Sequence, residues 1–150
     1  MQKYYTDIIE LYKKLFPSDP KEIFPLPPSG SNRKYYRIIG ENSSVIAAYN
    51  PDRDENRAFV YISEKLQKEG VNVPEIYESD LDKNIYLLED LGDTKLYDLV
   101  EEYRKNEDTE YIDWYKKVID QMPSIQYKSA DKFDFSLCFP RKAFDKQSIL

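Results

Sequence analysis

Residues 86–93, which read YLLEDLGD, constrain the fold of this chain more than any other segment. An apolar, strand-like run leads into two acidic residues, a leucine and a glycine, after which the apolar spacing becomes helical. Strand-like runs dominate residues 23–89, with one helical segment inserted, and helical spacing dominates after Gly92. Runs of strands followed by runs of helices are typical of α+β proteins or of two lobes. The segment therefore predicts a short hinge between a sheet and a helical region.

The predicted elements follow from hydrophobic spacing and from turn-forming residues. Helices are expected over residues 4–16, 54–68, 96–103 and 111–122, and strands over residues 23–27, 34–39, 44–49 and 84–89. Proline restricts the first strand to a sheet edge. A further extended run begins at residues 73–77 and is followed by a predicted turn at 79–83. Gly70 is expected to end the second helix, and Asp93 or Thr94 to cap the third.

Composition limits the classes of function open to the chain. The 150 residues contain 28 acidic and 22 basic side chains, a net charge of −6. This balance argues against nucleic acid, whose binding proteins carry a clustered basic face, and against an anionic membrane surface. The sequence has no apolar run near 18 residues, so no transmembrane helix is predicted. Acidic residues interrupt the apolar spacing at the N-terminus, which argues against a signal peptide.

Cysteine and histidine usage narrows the possible chemistry. Cys138 is the single cysteine, so the sequence predicts no intrachain disulfide and favours a cytoplasmic location. The chain has no histidine, which removes the Ser-His and Cys-His nucleophile systems.

The predicted turn at residues 29–33 is a candidate phosphate site. Small residues that tolerate positive φ leave backbone N–H groups pointing outward, which suits phosphate oxygens; here they are Ser29, Gly30, Ser31 and Asn32. Arg33, Lys34 and Arg37 add positive charge beside the turn. An ordinary hairpin is the alternative, because neither common glycine-rich nucleotide motif is present.

The hinge and the second helix supply further candidates. Backbone groups of residues 89–92 can pair with a planar base, while Leu88 and Leu91 offer apolar walls. The alternative is a solvated acidic turn that precedes a helix. Glu55 and Glu64 lie on the second helix, where each can equally belong to a solvated face.

Taken in order, these segments resemble the N-terminal lobe of the aminoglycoside/choline phosphotransferase family, which has the protein-kinase-like fold. They are most similar to its bacterial sugar-kinase branch, which phosphorylates N-acetylmuramate and N-acetylglucosamine at the anomeric position. The similarity spans nearly the whole chain and depends on the order and spacing of its segments. These are SGSNRKYYRI at 29–38, VIAAYNPDRDENRAF at 45–59, GVNVPEIY at 70–77, YLLEDLGD at 86–93, YKKVIDQMPSIQ at 115–126 and FDKQSIL at 144–150.

The resemblance implies a fold and a nucleotide site. The expected fold is α+β, with a kinase-like N-terminal lobe over residues 1–91, built from a twisted antiparallel sheet and one main helix. A partial helical C-terminal lobe would follow over residues 92–150. The implied cofactors are ATP and Mg²⁺, and the implied reaction transfers the γ-phosphate to a hydroxyl of a small-molecule acceptor. Residues 29–33 would cover the phosphates, residues 89–91 would meet adenine through backbone atoms, and Glu55 or Glu64 would be the helix glutamate.

The sequence departs from the family pattern in two places. The predicted strand over residues 44–49 has no lysine, so the positive charge beside the phosphates is expected from Arg33 or Arg37. Nothing after Gly92 reads as H-x-D followed by Asn and a second metal-binding Asp. The catalytic loop and the metal ligands are therefore expected beyond residue 150, and these residues alone should not be catalytic.

Three functions remain open from the sequence. The first is the ATP-binding part of a small-molecule kinase, whose exposed helical face would let the chain self-associate. The second is a kinase-like module that binds nucleotide or protein without catalysis. The third is an unrelated α+β adaptor with a tyrosine-rich surface.

Overall fold

The chain forms an antiparallel sheet with helices on both faces, followed by a helical region. The computed structural model describes residues 3–28, 30–128, 133–143 and 145–146. The strands are β1 (Glu22–Pro25), β2 (Lys34–Ile39), β3 (Ser44–Tyr49), β4 (Ile76–Asp80) and β5 (Ile85–Glu89). The helices are α1 (Lys3–Leu15), α2 (Arg53–Lys68), α3 (Leu96–Lys105) and α4 (Tyr111–Pro123). A π-helical turn, Ser124–Lys128, and a 3-10 turn, Phe135–Leu137, follow. The predicted α+β class is confirmed.

The five strands lie in the order β1-β2-β3-β5-β4, and every neighbouring pair is antiparallel. β1 lies at one edge, as its proline content predicts. β3 lies at the centre, where it pairs with β2 on one side and with β5 on the other. The last strand in the sequence, β5, is therefore an inner strand of the sheet. The hinge that follows β5 starts from inside the sheet and not from its edge.

Alternate residues of β3 and β5 face the two sides of the sheet, because successive strand side chains point in opposite directions. One side packs against α1 in a cluster that includes Ile8, Leu11, Tyr12, Val45, Ala47, Ile85 and Leu87. The other side packs against α2 in a cluster that includes Ile46, Ala48, Val60, Tyr86 and Leu88. Both faces of the inner strands are thus buried, which explains the unbroken apolar runs VIAA and IYLL.

Local sequence signals define both ends of α2. The Asp52 carboxylate accepts hydrogen bonds from the N–H groups of Asp54 and Glu55, each at 3.0 Å, and so caps the first turn. At the other end, Gly70 has a φ of +76°, and its N–H donates to the Gln67 carbonyl at 2.9 Å. This left-handed residue ends the helix, so the predicted stop at Gly70 is confirmed.

The structure differs from the sequence prediction at two turns. β4 continues to Asp80, so the β4–β5 turn begins at Leu81 and not at Ser79; Ser79 pairs with Tyr86 in the sheet. The predicted cap of the third helix is also wrong: the N-cap of α3 is Lys95, which makes no side-chain capping bond. The Asp93 carboxylate is instead bound by a distant arginine.

The α4 helix presents apolar side chains to solvent. Six of its large side chains are between 37% and 59% exposed: Ile112, Trp114, Tyr115, Val118, Ile119 and Met122. This is the face that the sequence expects to promote self-association, which stays a prediction. Within the described ranges, no helix combines the length and the apolar character needed to cross a bilayer.

The close packing of α1 on the β2–β3 turn can be tested at Gly40, which is buried. A Cβ at this position would lie 2.5 Å from the Tyr12 hydroxyl oxygen and 3.2 Å from the Ser43 carbonyl oxygen. Gly40→Ala is therefore expected to reduce the free energy of unfolding by about 1–3 kcal/mol, the usual cost of overpacking. Urea denaturation measures this cost.

A double-mutant cycle provides the control for this contact. In a Tyr12→Phe background, which lacks the hydroxyl, Gly40→Ala should cost less because the two residues are coupled. An equal cost in both backgrounds would contradict the packing described here.

Candidate functional site

An open cavity of about 580 Å³ lies between the α2 side of the sheet and the hinge. This volume is within the range of about 300–1,000 Å³ that is typical of small-molecule sites. Sheet, loop and helix residues form one wall: Leu26, Pro27, Tyr35, Arg37, Ile46, Phe59, Pro74 and Leu88. Residues 89–95 form the opposite wall. The cavity therefore forms where the hinge leaves the inner strand β5.

The floor of the cavity is apolar because it is the α2 face of the sheet. Ile46 and Leu88 are direct partners in the β3–β5 register, and each is 7% exposed. Leu26 is held beside them by a hydrogen bond from its N–H to the Tyr35 carbonyl at 2.9 Å. The structure thus places the predicted wall residue Leu88 in a flat apolar surface. Leu91, the other predicted wall residue, lies on the hinge side and is largely exposed.

The Asp90 carboxylate fastens the hinge to the sheet. It accepts hydrogen bonds from the Ser44 hydroxyl at 2.7 Å, the Gly92 N–H at 3.0 Å and Arg37 Nη2 at 3.0 Å. Burial acts to raise the pKa of Asp90, but these hydrogen bonds and the arginine charge outweigh it and hold the pKa below the ordinary value of 3.8. Asp90 is therefore ionised at neutral pH.

Arg37 extends from β2 to two acidic residues of the hinge. In addition to Asp90, its Nη1 and Nη2 atoms donate to the two carboxylate oxygens of Asp93, each at 2.9 Å. Hydrogen bonds from Arg37 lower the pKa of Asp93, and the bonds to Asp93 and Asp90 raise the pKa of Arg37. A two-bond arginine–carboxylate contact of this kind is geometrically specific as well as strong. The structure places this sequence-predicted arginine in the cavity wall, with its charge paired at the hinge.

Arg33, the residue before β2, forms an ion pair with the first turn of α2. Its Nη2 lies 2.7 Å from Glu55 Oε1, and its guanidinium carbon lies 4.8 Å from the centre of the Phe59 ring. The arginine side chain is only 10% exposed. Within the described part of the chain, its buried Nε atom has no hydrogen-bond partner.

The structure separates the two candidate helix glutamates. Glu55 contacts Arg33, whereas Glu64 is exposed and forms no ion pair with any described residue. A buried amide fixes the Glu55 end of α2, because Asn56 Nδ2 donates to the Asn50 carbonyl at the end of β3 at 2.8 Å. The sheet therefore holds the position of Glu55 on the helix.

The predicted phosphate turn lies between β1 and β2. Gly30, Ser31 and Asn32 are exposed and do not line the cavity, although Arg33 begins where they end. The Ser31 hydroxyl accepts a hydrogen bond from the Arg33 N–H at 3.3 Å. Ser29, also predicted for this turn, lies outside the residues that the structure describes.

Sequence reasoning missed the roles of Asp90 and Ser44 and the cavity residues Tyr35, Ile46 and Phe59. Strand alternation was the available signal for Tyr35, which is two residues from Arg37 and shares its face of β2. No comparable signal links Arg37 to Asp90, which is 53 positions away in the sequence.

The described residues provide no metal centre. No group of three or more His, Cys, Asp or Glu side chains in the described ranges is arranged to hold a metal ion. The expected Mg²⁺ therefore has no fitting site among them, and no step is assigned to it.

Comparison with known proteins gives one informative relation. No protein-family model matches the chain. It is similar to the N-acetylmuramate/N-acetylglucosamine kinase of Pseudomonas aeruginosa, with 36% identity over 74 residues. The matched segment covers 49% of this chain and 22% of that kinase, so the chain spans less than a quarter of the length of this curated relative. Half of the chain is thus related to a protein named as a sugar kinase.

The fastening role of Asp90 leads to a pH-dependent prediction. Asp90→Asn should lower the free energy of unfolding at pH 7 by about 1–3 kcal/mol, because it disrupts a nearly buried, charge-assisted network. The native pKa of Asp90 lies below 3.8, so the unfolded chain binds this proton first as the pH falls. The ionised Asp90 carboxylate therefore stabilises the folded chain above about pH 3.8, and this stabilisation is lost as the pH falls through the pKa of Asp90 in the folded chain. Urea denaturation at pH 7 and at successively lower pH should show the wild-type advantage shrinking.

Asp19→Asn is the matched control for this prediction. Asp19 pairs with Lys13, but its side chain is 78% exposed, and surface pairs of this kind contribute little. A wild-type advantage over Asp90→Asn that stayed constant down to pH 3 would contradict the ionised network.

Proposed function

We propose that the sheet, α2 and the hinge form the ATP-binding part of a cytoplasmic small-molecule phosphotransferase with a sugar acceptor. The observation that carries the proposal is the cavity of about 580 Å³ where the apolar sheet face meets the hinge. The similarity to a sugar kinase over half of the chain supports the same reaction class. The acceptor site, the catalytic loop and the Mg²⁺ ligands belong, in this proposal, to sequence outside these 150 residues.

The cavity suits a purine base. A purine has two flat apolar faces and an edge of hydrogen-bonding atoms. Ile46 and Leu88 provide the flat apolar surface, and the hinge provides the edge. The backbone N–H and C=O of Leu91 make no hydrogen bond with any described residue, which leaves them available to a base. Residues 89–91 are therefore the proposed adenine contacts.

The Arg33–Glu55 pair suits the phosphates. A kinase-type site uses a positive side chain, held by a helix glutamate, beside the α- and β-phosphates. The β3 strand has no lysine for this role, and Arg33 already contacts Glu55 on α2. We assign the positive charge to Arg33 and the helix glutamate to Glu55. Backbone N–H groups of residues 30–32 would add to the phosphate contacts.

ATP would supply the phosphoryl group, and the contribution of this chain would be binding and orientation. Phosphoryl transfer depends mainly on positioning and on charge stabilisation. Arg33 would orient and partly neutralise the phosphates, and the hinge would fix the base. These residues alone are not expected to accelerate the reaction, because the group that positions the acceptor hydroxyl is not among them.

Nucleotide titration of the 150-residue chain tests this proposal. ATP should bind in calorimetry and raise the Tm by mass action. Arg33→Ala should weaken ATP binding by about 10–100-fold, because it removes charge-assisted hydrogen bonds worth about 1.5–3 kcal/mol. Affinity for adenosine, which lacks phosphates, should stay unchanged.

The control is Arg104→Ala, which removes the same charge from an exposed position on α3. It should leave ATP affinity at the wild-type value. A flat titration of the wild-type chain up to millimolar ATP would reject the nucleotide site. Equal losses in Arg33→Ala and Arg104→Ala would reject the assignment of Arg33.

A second candidate function is a kinase-like module that binds nucleotide or protein without catalysis, and the lack of a lysine on β3 favours it.

The exposed apolar face of α4 is what the first function, the ATP-binding part of a larger kinase, leads us to expect. Contiguous exposed apolar surface commonly marks an interaction site. We expect the isolated chain to self-associate at micromolar concentration in light scattering. Ile119→Glu should restore the monomer, because it places a charge on this face. A strictly monomeric wild-type chain that binds no hydrophobic dye would contradict this expectation.

A further inference from the structure

We propose that Arg37 is a positioning residue that sets the geometry of the hinge for the nucleotide base and takes no part in holding the phosphates. The proposal rests on the proposed function, since it assumes that a nucleotide occupies the cavity beside the hinge. It also assigns different roles to Arg33 and Arg37. The sequence alone offers either arginine as the positive charge beside the phosphates.

The Arg37 side chain connects the hinge to a strand that does not adjoin β5. Arg37 lies on β2, while the hinge leaves from β5, and β3 separates these two strands. The side chain reaches past β3 on the cavity side of the sheet to bind Asp90 and Asp93. One guanidinium group therefore joins the hinge to a strand that is not its neighbour.

The two carboxylates that bind Arg37 flank the proposed base contact at Leu91. Asp90 and Asp93 stand on either side of Leu91 and Gly92. The backbone groups of Leu91 have no hydrogen-bond partner among the described residues, so the flanking carboxylates are what fix this part of the chain. Gly92 has a φ of +79° and donates its N–H to Asp90, which bends the chain at the same place. The position of the proposed base contacts thus depends on the two acidic residues and on the arginine that binds both.

The charges at the two arginines also differ. Arg37 carries one positive charge and binds two carboxylates, Asp90 and Asp93, so its charge is already paired within the protein. A guanidinium paired in this way has no free charge to offer a triphosphate. Arg33 instead pairs with a single carboxylate, Glu55. If Arg37 is removed, Asp90 and Asp93 repel each other across Leu91.

Three ligands separate the two roles. We would titrate ATP, adenosine and inorganic tripolyphosphate into the wild-type chain, Arg37→Ala and Arg33→Ala by calorimetry. Arg37→Ala should weaken ATP and adenosine by the same factor and leave tripolyphosphate unchanged. The factor is about tenfold if the competent hinge geometry is populated one tenth of the time. Arg33→Ala should weaken ATP and tripolyphosphate and leave adenosine unchanged.

Conservative variants distinguish the proposed role of Arg37 from misfolding and from a simple loss of positive charge. Arg37→Lys keeps the charge but cannot bind two carboxylates through a planar fork, so it should lose adenosine affinity almost as Arg37→Ala does. Asp93→Asn changes the more exposed partner, with a side chain 81% exposed, and should give a smaller loss of adenosine affinity in a folded chain. Full adenosine affinity in Arg37→Lys would overturn the proposal.

Hydrogen exchange gives a readout that needs no ligand. The amide of Gly92, which donates to Asp90, should exchange faster in Arg37→Ala than in the wild-type chain, while amides of β3 stay protected. If the wild-type chain binds neither ATP nor adenosine, the proposed function fails, and the role in base binding fails with it. If the wild-type chain binds both and Arg37→Ala matches it, or loses only tripolyphosphate affinity, the proposed function stands and the assignment of Arg37 is overturned.

Discussion

The architecture depends on two inner strands, β3 and β5, that bury both of their faces. One face of the pair packs against α1 and the other packs against α2. Because β5 runs directly into the hinge, this double burial also sets where the hinge begins. The apolar surface of Ile46 and Leu88 is at once part of the α2-side core and the floor of the cavity. Folding and the candidate site therefore use the same residues.

Two arginines, Arg33 just before β2 and Arg37 on β2, connect the sheet to α2 and to the hinge. Arg33 contacts α2 through Glu55, and Arg37 contacts the hinge through Asp90 and Asp93. Both side chains are mostly buried, and each is paired with a carboxylate, as buried charges require. Both arginines lie on the α2 side of the sheet, where Arg33 contacts Phe59 and Arg37 lines the cavity. Strand alternation directs Tyr36 and Ile38 into the α1 core.

The sequence predicts the elements well where local rules agree with the tertiary structure. The strands predicted over residues 44–49 and 84–89 are present, and Gly70 ends α2 as its local chemistry predicts. Prediction failed where a distant partner competes with a local preference. Asp93 is a good capping residue, but Arg37 binds its carboxylate. Pairing of Ser79 with Tyr86 likewise extends β4 into a segment with turn-forming residues. The hinge network joins residues 46 to 56 positions apart, and no periodicity in the sequence reports such contacts.

The central claim is that a nucleotide occupies the cavity between the sheet and the hinge. The most direct measurement is an amide NMR titration of the isotope-labelled chain with ADP, followed residue by residue. The account predicts that the largest shifts occur at Leu91, Gly92 and Arg33, and that residues of α1 stay unperturbed. Shifts confined to the opposite face of the sheet, around Tyr4 and Lys83, or the absence of any shift at millimolar ADP, would contradict it.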